Sequence, residues 1–329
     1  MGKTRVGTVG YSYRDWAGIF FPPGSPPRRQ FNIYANNFDV CELTQFTHQM
    51  PDPERMQHFA AQIKTDLRLF VRIHNTFTHC ADVGLALTVA RHFRKAMEPL
   101  NEEGKLAGFV AAFPYAFKNT PDNREYILQL ANQLSFGAET PLQLDFRHMS
   151  WLTPEAIEWV SSHELGLVLV DEPALPGLVP PLAVATSGRV LVRLHGRNAA
   201  GWWSGNQATR FDYSYSRDEL AALKTRYEPL EARRREVSFL FHNNWQAQSV
   251  NNAVQFRTLL AREAIEAAPR VFMPSANDFL SSLDDAADPL DDESGRPPTS
   301  LPLSEVKSRV SRALASAQSS LDLPLRDDS

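Results

Sequence analysis

The chain has 329 residues, of which 43% are hydrophobic and 22% charged, with a formal net charge of −4. This composition is typical of a soluble globular protein, and its slight acidity argues against a polyanionic partner held by bulk charge. Two cysteines, Cys41 and Cys80, are too few for a disulfide framework, so we interpret them as packed, reduced thiols. We find neither a signal sequence nor an apolar run long enough for a transmembrane helix, and we therefore expect a cytoplasmic protein without membrane contact.

Short segments rich in Val, Leu, Ile and Phe recur along the chain, each bounded by polar or turn residues. Nearly continuous apolar runs of this kind are typical of strands that are covered on both faces of a parallel sheet. We predict eight such strands, at residues 5–10, 38–43, 69–74, 107–113, 142–146, 167–170, 190–195 and 237–241.

Segments with helical spacing separate most of these strands. Three of them begin with a capping residue followed directly by proline, a combination that favours a helix start; the capping residues are Asp52, Thr120 and Thr153. The crossover at residues 173–187 contains four prolines, which exclude a regular helix interior, so we predict an irregular loop there. The predicted helices cover residues 28–37, 53–64, 81–101, 121–134, 154–163, 216–227 and 246–264.

Eight strands that alternate with helices over about 265 residues favour an α/β fold of the TIM type, a closed (β/α)8 barrel. The competing doubly wound sheet would need a glycine-rich phosphate loop after an early strand, and residues 10–16 (GYSYRDW) do not form one. We predict a single barrel domain at residues 1–270. Residues 271–329 read as an acidic, proline-containing tail that is partly disordered, with a short helix at 304–319 that could recruit a protein partner.

Ionisable and amide side chains follow six of the eight predicted strands at their carboxyl ends, where the active sites of these barrels lie. If the barrel closes, these groups converge at one mouth. A set of rim salt bridges, for instance between Arg193 and Asp145, is the plain structural alternative. The residues are Glu42, His74 with His79, Asp145 with Arg147, Asp171, Arg193 with His195, Arg197 and Asn198, and finally His242, Asn243 and Asn244.

The residue types predict roles at such a mouth. Arginines suit a phosphate or carboxylate group, and we assign anion binding to Arg147, Arg193 and Arg197. Either Glu42 or Asp145 would act as the base and either His195 or His79 as the acid. The loops after the last two strands often hold phosphate in such barrels, which adds three amides as substrate ligands; these are Asn198, Asn243 and Asn244.

Aromatic side chains gather in loops on the same side of the predicted barrel. We include Tyr11 and Trp16 among the substrate-binding residues, and Trp202 and Trp203 could stack on a ring, a base or a sugar, with plain loop packing as the alternative. A divalent metal remains a weaker option, because no compact ligand motif is present. Its candidate ligands would be Glu42, His79, Asp145, His148, Asp171, His195 and His242.

Several of these segments together resemble the YecE-like family, also called domain of unknown function 72. The resemblance implies a TIM-type barrel but no particular reaction. Asp145 stands where the family usually has Glu, and Arg72 where Lys is common. The segments are 7–18 (GTVGYSYRDWAG), 38–42 (FDVCE), 77–79 (FTH), 113–117 (FPYAF), 145–151 (DFRHMSW), 192–198 (VRLHGRN), 213–215 (YSY) and 241–244 (FHNN).

Three functions are compatible with these patterns. We favour an enzyme that acts on a small anionic metabolite by acid–base hydrolysis, lysis or isomerisation. A nucleic-acid binder or metal-dependent endonuclease is suggested by fold analogy alone and is not favoured, because the net charge is negative and the run Arg233–Arg235 precedes the last strand, away from the mouth. A non-catalytic binding protein or scaffold is the third.

Overall fold

A computed structural model describes residues 3–79, 83–203, 207–232 and 235–261. The predicted tail at 271–329, its helix at 304–319 and Cys80 lie outside the described residues. Cys41 is a buried free thiol on the second strand. Within the described part of the chain, no helix is both long and apolar enough to span a membrane.

The strands form one parallel sheet that closes almost completely into a barrel, which confirms the predicted TIM-type fold. The order along the sheet is β6-β5-β4-β3-β2-β1-β9-β8-β7. The strands are β1 (Thr4–Val9), β2 (Val40–Leu43), β3 (Arg68–Arg72), β4 (Leu106–Ala112), β5 (Leu142–Asp145), β6 (Gly166–Leu167), β7 (Leu169–Asp171), β8 (Arg189–Leu194) and β9 (Glu236–Phe241).

The sixth predicted strand is the place where the barrel closes. It consists of β6 and β7, which are separated only by Val168. The first half pairs with β5 and the second with β8, so one continuous backbone segment joins the two ends of the sheet. A break in pairing at this strand therefore does not leave an open edge of the kind that a flat sheet would have.

Helices cover the outside of the barrel, and their start signals are those that the sequence predicts. The side chains of Asp52, Thr120 and Thr153 each accept a hydrogen bond from a backbone N–H three residues later, at 3.0, 3.2 and 3.3 Å. Residues 173–187 are irregular, as their prolines require. The helices are α1 (Pro27–Asn37), α2 (Pro53–Gln62), α3 (Thr76–His79), α4 (Val83–Glu102), α5 (Pro121–Leu134), α6 (Pro154–Ser162), α7 (Gln207–Arg210), α8 (Arg217–Ala232) and α9 (Gln248–Leu260).

Ion pairs close the amino-terminal end of the barrel. Arg5 is 1% exposed and its guanidinium lies 3.2 Å from Asp66 and 3.4 Å from Glu236. Arg189 lies 3.9 Å from the same Glu236 oxygen. Arg235 also belongs to this end, because it directly precedes β9 and donates to the Ser187 carbonyl. Ion pairs within the chain thus hold this end together, and in such barrels the amino-terminal end ordinarily serves stability rather than catalysis.

The turn after β9 contains two consecutive non-glycine residues in left-handed conformation. Gln246 has φ 49° and ψ 40°, and Ala247 has φ 58° and ψ 21°. The Gln246 N–H donates to the Asp15 carboxylate at 2.6 Å, which ties this turn to the loop after β1. A left-handed residue with a Cβ costs about 1–2 kcal/mol, so this turn carries backbone strain beside the barrel mouth.

Replacing the exposed Gln246 by Gly is expected to raise the free energy of unfolding by about 0.5 kcal/mol, because relief of strain exceeds the entropy that glycine adds to the unfolded chain. Urea denaturation measures the change. The matched control is Gln57→Gly in the right-handed helix α2, which should lower stability by about 1 kcal/mol. Equal losses in the two variants would contradict the assignment of strain.

Candidate functional site

A cavity opens at the carboxyl ends of the strands and has two adjoining compartments. The arginine compartment has a volume of about 680 Å³ and the aromatic compartment about 560 Å³, sizes that are typical of small-molecule sites. Thr47, Arg72, Arg147, Trp202 and Arg210 line both. The arginine compartment adds Tyr13, Arg14, Asp15, Thr44, His48, Arg193, His195, Phe211, His242, Asn244 and Trp245, and the aromatic compartment adds Ile73, Asn75, Thr78, His79, Ala112, Phe113, Pro114, Tyr115, Glu172, Gly177, Leu178 and Trp203.

An ion-pair chain forms the floor of the arginine compartment. Arg193 on β8 is 1% exposed, with Nη1 2.5 Å from Asp145 Oδ2 and Nε 3.2 Å from Glu42 Oε2. Arg72 at the end of β3 binds the other Glu42 oxygen through Nε at 2.8 Å and Nη2 at 2.7 Å. Alternation along the strands turns these four side chains into the barrel, where two guanidinium charges balance two carboxylates.

The ion-pair floor engages the two carboxylates, Glu42 and Asp145, that we predicted as candidate bases. Glu42 and Asp145 are 0% and 1% exposed and lie below the lining of the cavity. Their oxygens hold arginine side chains, and the Arg193–Asp145 pair that we considered as a plain structural alternative is present. The geometry brings both predicted base candidates to the site but places them where they orient the arginines. Their assignment as the base stays a prediction.

Arginine side chains give the cavity its charge. Arg14, Arg72, Arg147, Arg193 and Arg210 all line the arginine compartment. Arg147 is 42% exposed, and its Nε is 3.8 Å from Asp145, at the outer limit of an ion pair. Nε of Arg210 has no hydrogen-bond partner among the described residues. Since Asp15 is the one carboxylate among the residues that line this compartment, positive charge is in excess there.

Two histidines stand side by side on the wall of the arginine compartment. His195 follows β8 and His242 follows β9, and their Nδ1 atoms are 2.8 Å apart. The pKa values of both histidines are well below the usual histidine range. Burial is the main cause, and the neighbouring His195 further lowers the pKa of His242. The charges of nearby arginines, which include Arg193 and Arg147, act in the same direction on both rings. Both rings are therefore neutral at pH 7. One ring donates its Nδ1 proton to the other, which leaves a bare Nε2 on the donor ring and an Nε2–H on the acceptor ring.

Glu172 follows β7 and lines the aromatic compartment; the sequence places it at the end of the sixth predicted strand, but we assigned no role to it. Its Oε1 accepts a hydrogen bond from the Val179 N–H at 3.1 Å. Burial raises the pKa of Glu172 to about 7, although the charge of Arg147 acts in the opposite direction. This carboxyl group therefore exchanges a proton near neutral pH, within reach of the same cavity as the arginines.

Glu172 should make the stability of the protein depend on pH. Because its pKa is raised on folding, the folded protein binds more protons than the unfolded chain between pH 4.5 and about 7, and stability falls as pH rises through that window. From pH 5 to pH 8 the wild type should lose about 1–2 kcal/mol relative to Glu172→Gln, a value reduced for partial exposure. Urea denaturation of both proteins measures this, and the contributions of the histidines cancel in the comparison. Parallel pH profiles would contradict it.

The two predicted asparagines after β9 have different surroundings. Asn244 lines the cavity and donates to Tyr13 Oη at 2.7 Å, while its buried Oδ1 has no hydrogen-bond partner in the described part of the chain. Asn243 does not line the cavity; its Oδ1 also has no hydrogen-bond partner among the described residues, and its amide donates to the Tyr213 carbonyl at 2.7 Å and to Asn252 Oδ1 at 2.8 Å. We infer that Asn244 is available to a ligand, whereas Asn243 holds the neighbouring loop.

Four further predicted residues lie outside the cavity lining. Arg197 forms a two-pronged ion pair with Asp171, with both contacts at 2.8 Å, and Asn198 donates to the Thr209 carbonyl at 2.7 Å. Trp16 is fully buried and donates to the Asn244 carbonyl at 2.9 Å, and Tyr11 packs edge-on against Phe31. These side chains hold the loops that shape the mouth. Of the predicted set, Arg147, Arg193, His195, His79 and Asn244 line the cavity itself.

The remaining cavity residues had weaker signals in the sequence. Arg72 ends β3 on the inward side of the strand, which is the signal that could have identified it. Arg210 lies in α7, far along the chain from any strand end, and no local pattern marks it. Among the described residues, no three His, Cys, Asp or Glu side chains come together as a metal site. The candidate metal ligands therefore form no group of three that could hold a metal in the part of the chain that the structure describes.

The protein-family model with the description "Protein of unknown function DUF72" matches residues 5–275 of this chain. This chain belongs to the DUF72 family. The resemblance inferred from the motifs is thereby confirmed, and the match covers the whole barrel that the structure describes.

Known proteins resemble this chain in sequence and in structure. The UPF0759 protein YunF of Bacillus subtilis is 24% identical in a 286-residue match that covers 80% of this chain and 97% of YunF. A DUF72 protein of Thermotoga maritima superimposes with a TM-score of 0.69 at 31% identity over 78% of this chain and 99% of its own. A DUF72 protein of Enterococcus faecalis gives a TM-score of 0.69 at 24% identity, over 81% and 98%.

Proposed function

We propose that this DUF72 protein is an enzyme that binds a small phosphate- or carboxylate-bearing substrate in the arginine compartment and moves a proton on it. The observation that carries the proposal is the excess of arginine over accessible carboxylate in a concave site of ligand size. Hydrolysis, lysis and isomerisation all fit this chemistry, since each requires a bound anion and a proton donor or acceptor beside it.

The arginines have different tasks in this proposal. The buried floor of Arg193 and Arg72 is already neutralised by Glu42 and Asp145, so it provides donors in a fixed position. Arg147 and Arg210 line both compartments, and they have charge left for a ligand. Hydrogen bonds between charged partners are worth about 1.5–3 kcal/mol, so one such arginine can change affinity by about 10-fold to 150-fold.

The histidine pair supplies the proton chemistry. Because both rings are neutral and share one Nδ1 proton, one outer nitrogen accepts a proton while the other donates one. A proton taken up at one ring can pass across the shared bond as the second ring releases its own. This proposal keeps His195 as an acid and gives the role of the base, which we first predicted for Glu42 or Asp145, to the histidine pair.

The test begins with a thermal-shift screen of phosphorylated and carboxylated metabolites against the wild-type protein. For any compound that stabilises the fold, Arg147→Met should weaken binding about 10-fold or more, whereas Arg91→Met, an exposed arginine on α4, should not change it. Turnover of the bound compound should fall by at least about 100-fold in His242→Gln while its binding is retained.

Four results would count against the proposal. Stabilisation by neutral compounds alone, or equal binding by the Arg147 and Arg91 variants, would exclude an anion site. Binding without turnover by the wild type across the screen would support a non-catalytic binding protein instead. Salt-dependent binding to single-stranded DNA, lost in Arg147→Met, would support the nucleic-acid alternative.

A further inference from the structure

The aromatic compartment contains exposed rings that anion binding does not explain. Tyr115 is 57% exposed and Trp203 is 64% exposed, and both line this compartment together with Phe113 and Trp202. Leaving a large apolar side chain in water forgoes about 1.5–3 kcal/mol of burial, so exposed aromatic surface inside a cavity indicates contact with a ligand.

The two compartments adjoin in a way that suits one ligand with two parts. Arg147 and Arg210 belong to the walls of both, and Trp202 stands between them with the Arg210 guanidinium 5.9 Å from its ring centroid. If these arginines bind the anionic group of a ligand, the rest of that ligand can extend into either compartment. Aromatic side chains line both compartments, but the two that are more than half exposed, Tyr115 and Trp203, lie in the aromatic compartment.

Apart from its arginines, the aromatic compartment is lined by five polar side chains: Thr47, Asn75, Thr78, His79 and Glu172. The Glu172 carboxyl group, which exchanges its proton near pH 7, can both donate and accept a hydrogen bond. These polar groups could bind the nitrogen atoms of a heteroaromatic ring while the four aromatic side chains stack on its face.

We propose that the substrate carries a heteroaromatic ring beside its anionic group, in the manner of a nucleoside monophosphate, with the ring in the aromatic compartment against Trp203 and Tyr115. The inference rests on the proposed anion site, because the ring is placed relative to Arg147 and Arg210. It adds the class of substrate, which the arginines alone do not define.

The experiment measures binding by isothermal titration calorimetry for four probes: adenosine 5′-monophosphate, nicotinate, ribose 5-phosphate and adenosine. Adenosine 5′-monophosphate should bind at least about 10-fold more tightly than ribose 5-phosphate, since stacking of one base on an aromatic ring is worth about 1–3 kcal/mol. Nicotinate also combines a heteroaromatic ring with an anion, but its anion is a carboxylate. Its affinity, compared with that of adenosine 5′-monophosphate, tells whether the site prefers a carboxylate or a phosphate.

Two variants separate the contribution of the heteroaromatic ring to binding from that of the anionic group. Trp203→Ala should weaken adenosine 5′-monophosphate about 10-fold and leave ribose 5-phosphate unchanged, whereas Arg147→Met should weaken both. Ile19→Ala, an exposed apolar side chain outside both compartments, is the matched control and should change neither. Tyr115→Ala repeats the test on the second exposed ring.

The outcomes distinguish the two proposals. Equal binding of ribose 5-phosphate and the mononucleotide, with no effect of Trp203→Ala or Tyr115→Ala, would overturn the ring inference and leave the anion site intact. Binding of adenosine as tightly as its monophosphate would overturn the anion site itself. No binding of either ring-bearing anion, nicotinate or the mononucleotide, would overturn the ring inference.

Discussion

Replacing Arg193 by Met is expected to lower the free energy of unfolding by about 3–5 kcal/mol. Arg193 lies between Glu42 and Asp145, and all three side chains are at most 2% exposed. Without the guanidinium, Asp145 retains only the distant contact to Arg147 at 3.8 Å, and Glu42 keeps Arg72 alone. A buried carboxylate left in this way must either stay charged at a high cost or take up a proton.

Urea denaturation at pH 7 measures this loss, and two further variants test its cause. The triple variant Arg193→Met, Glu42→Gln and Asp145→Asn removes the unpaired charges and should recover a large part of the stability. Arg91→Met removes an exposed arginine and should stay within about 0.5 kcal/mol of the wild type. If the triple variant were no more stable than the single one, lost packing rather than unpaired charge would explain the effect.

Replacing Gly7 by Ala is expected to cost at least about 3 kcal/mol or to prevent folding. A Cβ on Gly7 would lie 1.7 Å from the Val40 carbonyl oxygen and 2.9 Å from the Tyr34 hydroxyl. That hydroxyl accepts from the Thr8 N–H at 2.8 Å and donates to the Val40 carbonyl at 3.0 Å, so it bridges β1 and β2. The missing side chain makes room for this bridge within the barrel wall.

Circular dichroism and thermal unfolding measure the effect of Gly7→Ala, with Gly188→Ala as the matched control. A Cβ on Gly188 would have no other heavy atom within 4 Å, so that variant should remain within about 0.5 kcal/mol of the wild type. A folded Gly7→Ala protein with wild-type stability would mean that β1 and β2 can separate, and that the Tyr34 bridge is not a fixed element of the barrel.

The ion-pair floor has a consequence for how the candidate site works. It places Arg193 and Arg72 by means of carboxylates that a ligand does not reach, so the donors are in position before any anion arrives. Groups held in this way do not have to reorganise when charge enters the cavity, which is the condition for strong electrostatic binding in a low-dielectric site.

The sequence by itself determined the strands, the main helices, the closed parallel sheet and the rim where polar side chains gather, but not the short helices α3 and α7. Apolar runs, prolines and capping residues are local signals, and parallel strands bring their carboxyl ends to one rim whatever the loops do. The strand at residues 167–170 was predicted as one piece, and only the closed sheet divides it at Val168.

Only the tertiary structure decided which polar side chains line the cavity. Glu42 and Glu172 both lie at or just beyond a strand end, yet the first is held by two arginines and the second lines the cavity. Arg197 is paired with Asp171, whereas Arg210, from the short helix α7 that no sequence pattern marks, lines the cavity. The physical reason is that a charge is neutralised by its neighbours in space, and those neighbours come from strands and loops that are distant along the chain.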